Sequence, residues 1–248
     1  MTGPLSTGSL LRRSLSVLAR GVGYIVPLTF LLYLPEFAFQ ALEPDLARDT
    51  TIAWLLFIPR LALFSFATAA LVYGIFRTLG GHSTNLFECL RQAAPRLLDI
   101  LVLAVLTALL SGVGFLLCLV PGFIVLCGLF VAPPALMVER LKTTAALRRS
   151  WELTRGSRLP IFVLVVVLPF VLTTLVNWLF LTLTSDGSPD LTRLFDDISA
   201  TGTPGLIVGK VLAALLMAFS AATATVAYRD LRVGKEGVDA EELIAVFD

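Results

Sequence analysis

One tract of the sequence decides the fold: ILVLAVLTALLSGVGFLLCLVPGFIVLCGLFVAPPALMV, residues 100–138, contains no charged residue. A membrane-spanning helix needs about 20 apolar residues, because it rises about 1.5 Å per residue through a hydrocarbon core about 30 Å thick. An apolar tract of about 40 residues is too long for one span and long enough for two. Glycine and proline interrupt the tract at residues 111–114 and 121–122. We therefore predict two helices joined by a tight bend near one of these sites.

Similar apolar runs continue on both sides of this hairpin. The six candidate spans are approximately 22–39, 52–76, 97–117, 119–138, 161–183 and 206–228. The chain of 248 residues is 57% hydrophobic and 15% charged, whereas soluble domains carry about 25% charged residues. This composition excludes a soluble globular domain, a disordered chain and a nucleic-acid binder. Since backbone groups in hydrocarbon must pair within their own segment, we predict an all-α membrane protein with six transmembrane helices in one domain, 1–248.

The charged residues predict an orientation. Most of the 19 basic residues fall in four segments, 12–20, 77–96, 140–158 and 229–235, which alternate with the spans and so share one side. The loops on the other side are mainly acidic. Because basic loops face the cytoplasm, we predict a multi-pass protein of the bacterial cytoplasmic (inner) membrane. Both termini are expected in the cytoplasm, the second as a short tail at 229–248.

The basic segments also contain a repeat. The tetrapeptide LRRS occurs at 11–14, before the first span, and at 147–150, before the fifth; a looser copy at 87–96 precedes the third. Each copy places apolar residues at helical spacing beside arginines, the pattern of a short amphipathic helix at the headgroup level. We predict three units, each an elbow helix followed by a two-span hairpin. Chance matches between basic juxtamembrane segments are the alternative.

Four stretches together resemble a known family. They are VPGFI at 120–124, FVAPPALMVE at 130–139, ALRRSWELTRG at 146–156 and YRDLRVGKEG at 228–237. The chain resembles the bacterial integral membrane proteins grouped with the membrane domain of glycerophosphoryl diester phosphodiesterase. In that family the membrane portion can be fused to a soluble phosphodiesterase domain, which we do not expect here. The resemblance therefore implies a membrane location and fold, and not esterase activity.

Intramembrane hydrolases need residue sets that this sequence does not supply. The single histidine, His82, lies in a predicted loop, so a Ser-His pair and an HExxH zinc site both lack a member. The sequence also contains no GxxxxGK[ST] phosphate loop. The three cysteines have no metal-binding spacing, and we interpret them as reduced packing residues. We predict a protein that is not an enzyme and that binds neither a cofactor nor a metal.

Charged residues inside the spans are the first functional lead, because an ionisable group in hydrocarbon costs several kcal/mol unless it is paired or snorkels. Glu36, Arg60 and Lys210 all fall in the outer leaflet by their distance from the basic loops. One interpretation is that Arg60 and Lys210 snorkel outward. The other is that Glu36 pairs with one of them in a polar site, to which Asn177 of the fifth span can contribute a hydrogen bond.

The basic segments are the second lead. Each cation near an anionic leaflet contributes about 1 kcal/mol of attraction. Phosphate headgroups are therefore the expected contacts of the arginines in the two LRRS copies and after them, namely Arg12, Arg13, Arg148, Arg149 and Arg155. A solvated loop that only enforces the topology is the alternative reading of the segment 140–158.

The sequence thus favours a non-enzymatic integral membrane protein with a lipid-interacting or scaffold role in the bacterial envelope, or a membrane subunit of a complex. The expected partners are membrane lipids and an unidentified membrane protein, and nucleic acid is excluded. The alternative is a small transporter or permease-like subunit that uses the polar site in the outer leaflet. Prolines within the spans predict kinked helices, which transporters share.

Overall fold

The computed structural model describes residues 6–42, 50–82, 84–184 and 203–237. These residues form α-helices and no strand. The helices are α1 (Thr7–Leu42), α2 (Thr50–Leu55), α3 (Phe57–Leu79), α4 (Leu86–Ala93), α5 (Leu97–Leu117), α6 (Leu119–Leu129), α7 (Ala132–Glu139), α8 (Thr143–Thr154), α9 (Arg158–Phe162), α10 (Leu168–Thr184) and α11 (Thr203–Glu236). A 3-10 turn, Ala94–Arg96, joins α4 to α5, and a π-helical turn, Val163–Val167, joins α9 to α10.

The prediction of an all-α protein with six transmembrane helices is confirmed. Six helical segments of the described residues are long and apolar enough to cross a membrane: Thr7–Leu31, Phe57–Leu79, Leu86–Leu117, Leu119–Glu139, Arg158–Val176 and Val208–Glu236. Each overlaps one predicted span. At the basic ends the observed segments continue beyond the apolar runs. At the opposite ends the first, second, fifth and sixth segments are shorter than the predicted spans.

The first elbow helix is not separate, which corrects the prediction of three equivalent units. Residues 11–21 belong to α1, which continues without a break into the first span. The reason is packing, because Leu10, Val17, Tyr24 and Leu28 form one buried stripe that crosses the expected joint. The other two elbows exist as the separate helices α4 and α8.

The bend of the central hairpin lies between the two sites at which it was expected. Cys118 is the single connecting residue, and its extended backbone (φ −175°, ψ 158°) reverses the chain between α5 and α6. Gly114 and Gly122 flank the turn, and a Cβ added to Gly114 would lie only 2.9 Å from the Cα of Gly122. The glycines therefore do not make the turn; they let the two helices approach closely beside it.

The core lies among α1, α3 and α11. The largest fully buried side chains include Tyr73 and Phe76 of α3 and Tyr228 of α11, and alanines fill the remaining contacts. In the most apolar stretch of the last span 67% of residues are buried, against 11% in the span that begins at Arg158. The fifth span is therefore peripheral, and the last span is the centre of the bundle.

Candidate functional site at the basic end of the bundle

The basic segments of the sequence meet at one end of the bundle, which we call the basic end. Arg13 of α1 donates to both carboxylate oxygens of Asp230 in α11, at 2.8 and 2.9 Å. The hydroxyls of Tyr24 in α1 and Thr78 in α3 lie 3.0 Å apart, and Arg77 Nη2 lies 3.9 Å from Glu88 Oε1 of α4. The structure thus brings together the segments that the charge pattern assigned to one side.

Five side chains from α7, α8 and α11 form a closed ion cluster at this end. Arg149 Nε lies 2.9 Å from Glu139 Oε1, and a second nitrogen of the same guanidinium contacts Glu236. Tyr228 donates its hydroxyl proton to Glu139 Oε1 at 2.7 Å. Arg232 closes the cluster, because its Nε lies 3.0 Å from Glu236 Oε2 and its Nη1 donates to the Tyr228 hydroxyl at 3.2 Å.

The cluster is electrically balanced, with two carboxylates and two guanidinium groups in partly buried positions. Burial alone would lower the pKa of Arg149, but its hydrogen bonds to Glu139 and Glu236 outweigh burial and raise the pKa above its ordinary value. Such pairs stabilise a fold when every charge keeps its partner, and removal of one leaves an uncompensated charge. The ion cluster therefore fixes α8 and the end of α11 to the end of the fourth span.

The elbow helix α8 is seated on a break in the fourth span. That span is interrupted between α6 and α7, where Pro133 and Pro134 have no N–H to donate to the carbonyls of Leu129 and Phe130. Just before this break, the carbonyl of Gly128 accepts hydrogen bonds from the hydroxyls of Ser150 (2.8 Å) and Thr154 (3.1 Å). The side chains of α8 thus satisfy a backbone group at the break, as hydrocarbon requires.

Trp151 of α8 lies on the same position of the fourth span. Its indole ring covers Gly128 so closely that an added Cβ there would collide with the ring. Arg158, the first residue of α9, stacks on this ring with its Cζ 3.9 Å from the ring centroid. The absence of a side chain at Gly128 therefore leaves room for the indole of Trp151, on which the Arg158 guanidinium stacks.

Two further cations, Lys235 and Arg155, lie at the end of α8. Lys235 of α11 donates to the backbone carbonyls of Glu152 (3.2 Å) and Arg155 (2.7 Å). The side chain of Arg155 is exposed. Within the described part of the chain, neither Arg155, Arg158 nor Lys235 pairs with a carboxylate. We call Trp151, Arg155, Arg158 and Lys235 the cationic turn.

The predicted headgroup contacts divide into three groups. Arg12 and Arg155 are exposed and pair with no described carboxylate, whereas Arg13 and Arg148 are exposed but paired with Asp230 and Glu152. Arg149 differs from the other four, because Glu139 and Glu236 hold its guanidinium within the ion cluster. The structure therefore gives this arginine a protein partner in place of a headgroup.

Of the four intramembrane candidates, the structure describes the side chains of two. Arg60, near the start of α3, and Lys210, in α11, are both partly buried. The side chains of Glu36 and Asn177 lie outside the described residues, so the pairing of Glu36 with either cation stays a prediction. The transporter alternative, which depends on this pairing, stays a prediction with it.

The sequence did not predict Glu139, Glu236, Lys235 and Arg158 as members of these groups. One local signal was present, since Trp151 and Arg158 are seven residues apart in the sequence, across the end of a helix. The others belong to segments that are adjacent only in the folded chain.

Comparisons with known proteins give one result. A family model described as "Domain of unknown function (DUF7847)" matches residues 49–231. This range includes Gly128, Glu139, Arg149, Trp151 and Arg158, and it ends just before Arg232. No solved structure matches the chain.

Proposed function

The chain belongs to the DUF7847 family, whose description assigns no function, and we propose that it is a non-enzymatic integral membrane protein that binds anionic lipids. We further propose that it resides in the bacterial cytoplasmic membrane with both termini in the cytoplasm. A scaffold role in the envelope, or a role as a membrane subunit of a complex, is part of the same proposal. The resemblance to the membrane domain of glycerophosphoryl diester phosphodiesterase is compatible with it and stays a prediction.

One observation carries the proposal, namely that the basic end exposes cations that no described carboxylate neutralises. They are Arg12, Arg20, Arg91, Arg140, Lys142 and Arg155. If the cations of the basic end served only internal ion pairs, each would have a carboxylate partner, as the cations of the ion cluster do. Because each cation at an anionic surface contributes about 1 kcal/mol, this set favours contact with the negatively charged cytoplasmic leaflet.

The orientation supports the same conclusion. The segments rich in Lys and Arg share one end of the bundle, and the positive-inside rule assigns that end to the cytoplasm. Anionic lipids attract juxtamembrane cations over a distance of about one Debye length, roughly 8 Å at physiological ionic strength. The exposed arginines at the ends of the spans lie within this distance of the headgroups if the spans cross the membrane as proposed.

Extraction of the full chain in native polymer nanodiscs tests the proposal. We expect the phospholipids that accompany the protein to be enriched in phosphatidylglycerol and cardiolipin relative to the bulk membrane. A variant in which Arg12, Arg20, Arg91 and Lys142 are all changed to Gln should show less enrichment, because these exposed side chains make no described ion pair. A wild-type lipid composition equal to that of the bulk membrane would contradict the proposal.

A further inference from the structure

We infer that the cationic turn is a binding site for the phosphodiester headgroup of one anionic phospholipid. This inference rests on the proposed lipid binding and adds a defined site. Of its four residues, only Arg155 was among the predicted headgroup contacts. The exposed cations elsewhere at the basic end attract anionic lipids in general. The cationic turn has the shape and the unsatisfied donors to hold one of them.

The cationic turn has hydrogen-bond donors that are not used within the described part of the protein. A lysine ammonium has three donors, and Lys235 uses two of them on the carbonyls of Glu152 and Arg155. The Nε of Arg158 is buried and has no hydrogen-bond partner among the described residues. Arg155, whose backbone carbonyl Lys235 contacts, adds an exposed guanidinium. The two acids adjacent to the turn in sequence pair with other arginines, Glu152 with Arg148 and Glu236 with Arg149 and Arg232. The turn therefore keeps its positive charge.

One cation of the turn, Arg158, is held in place. The ring of Trp151 rests on Gly128 and supports the plane of the Arg158 guanidinium at 3.9 Å. A stacked arginine is pre-organised, so it loses less conformational entropy when it binds an anion, and its planar fork matches phosphate oxygens. This distinguishes the cationic turn from the freely exposed arginines at the same end of the bundle.

The position of the cationic turn at the membrane boundary favours a lipid over a free phosphate. Arg158 is the first residue of the fifth span, and Leu159 directly after it is 74% exposed. Val167 and Phe170 continue an exposed apolar surface along the same span. A headgroup held by the cationic turn would therefore have an apolar surface for its acyl chains immediately below it, which a soluble phosphate cannot use.

The test is native mass spectrometry of the purified full chain, titrated with dioleoyl phosphatidylglycerol in a detergent that preserves bound lipid. We expect one lipid to bind more tightly than the rest. In the Arg155→Gln/Arg158→Gln variant its affinity should fall about thirtyfold, the change expected from losing two cations at about 1 kcal/mol each. The matched control, Arg12→Gln/Arg91→Gln, removes the same charge from the same end outside the turn, and it should keep the tight site.

The outcomes separate the two proposals. If the Arg155→Gln/Arg158→Gln variant binds its first lipid as tightly as the wild type, the site is wrong, although general enrichment of anionic lipid can persist. If the wild type shows no preference for phosphatidylglycerol over phosphatidylcholine, the proposed function itself is wrong. Glycerol 3-phosphate at millimolar concentration provides the third arm: displacement of the lipid by it would overturn the lipid assignment in favour of a soluble phosphate ester. The single Arg155→Gln variant, changed at an exposed side chain, keeps the test valid if the double variant is unstable.

Discussion

Arg148 and Arg149 are adjacent in the sequence but have opposite environments in the structure. Arg148 is 84% exposed and pairs with Glu152 one turn along the same helix, whereas Arg149 is 24% exposed and lies between Glu139 and Glu236. Successive residues of an α-helix point about 100° apart, so one side chain faces away from the bundle and the next faces α7 and α11. The two arginines of this LRRS copy thus have different roles, one at the surface and one in the ion cluster.

The first prediction concerns stability. Arg149→Gln should lower the free energy of unfolding by about 2 kcal/mol, because the partly buried carboxylates of Glu139 and Glu236 then share a single described cation, Arg232. Arg148→Gln should change it by less than about 0.5 kcal/mol, because the pair that it breaks is exposed. The measurement is thermal unfolding of both variants in the same detergent. Equal melting temperatures for the two variants would show that the ion cluster does not hold α8 in place.

The second prediction concerns the seat of α8 on the fourth span. Changing Ser150 to Ala and Thr154 to Val removes the hydroxyl donors of the Gly128 carbonyl, and a buried carbonyl without a donor costs about 1–3 kcal/mol. We expect the double variant to unfold at lower temperature and hydrogen exchange to increase in residues 143–154. Thr144→Val, on the exposed face of the same helix, is the control and should leave both measurements unchanged. Unchanged exchange in the double variant would mean that these hydrogen bonds do not position the helix.

The third prediction concerns the central hairpin. Gly114→Ala should be destabilising, because the new Cβ would lie 2.9 Å from the backbone of Gly122 and the two helices would have to separate. Gly112→Ala, two residues earlier, places its Cβ in open space, and it should be neutral or slightly stabilising because Ala favours helix over Gly by up to about 1 kcal/mol. Unfolding of both variants in bicelles measures the difference. The same sign of effect for both substitutions would contradict the close approach of α5 and α6.

These residues show which parts of the molecule the sequence predicts. The spans follow from length and hydropathy alone, because hydrocarbon selects for both. The sequence did not locate the turn at Cys118, because any residue type can adopt an extended backbone. The glycines on either side of the turn allow the two helices to pack closely. The ion cluster was missed for a different reason. Glu139, Arg149 and Glu236 come from three segments, and no local pattern says which helices will be neighbours.

The repeat shows the same limit. Its two LRRS copies predict similar elbows, yet residues 11–14 lie within α1 and residues 147–150 form part of the separate helix α8. The first copy continues into a buried stripe that packs on α11, while the second follows a chain reversal after Glu139. Tertiary packing therefore decides whether the same motif becomes a separate helix.

The fourth prediction tests the orientation. Cys118, at the turn between the third and fourth spans, is exposed, whereas Cys89 and Cys127 are buried. About 19 residues of helix, roughly 28 Å, separate it from Asp99 at the basic end, so it lies at the opposite membrane surface. The backbone carbonyls before this turn and the N–H groups after it have no helical partners and need a polar environment. We expect a membrane-impermeant maleimide to label Cys118 from outside the inner membrane of spheroplasts, and Cys118→Ser to abolish the labelling.

The basic end provides the complementary measurement. Arg12→Cys in the Cys118→Ser background places a thiol on an exposed position of α1. If the positive-inside rule applies to this chain, the reagent should reach that thiol in inside-out vesicles and leave it unlabelled in spheroplasts. The reverse pattern at Arg12→Cys would place the basic end outside the cytoplasm, so that the exposed arginines would face the headgroups of the other leaflet. The labelling of one thiol at each end therefore decides which leaflet supplies the proposed lipid.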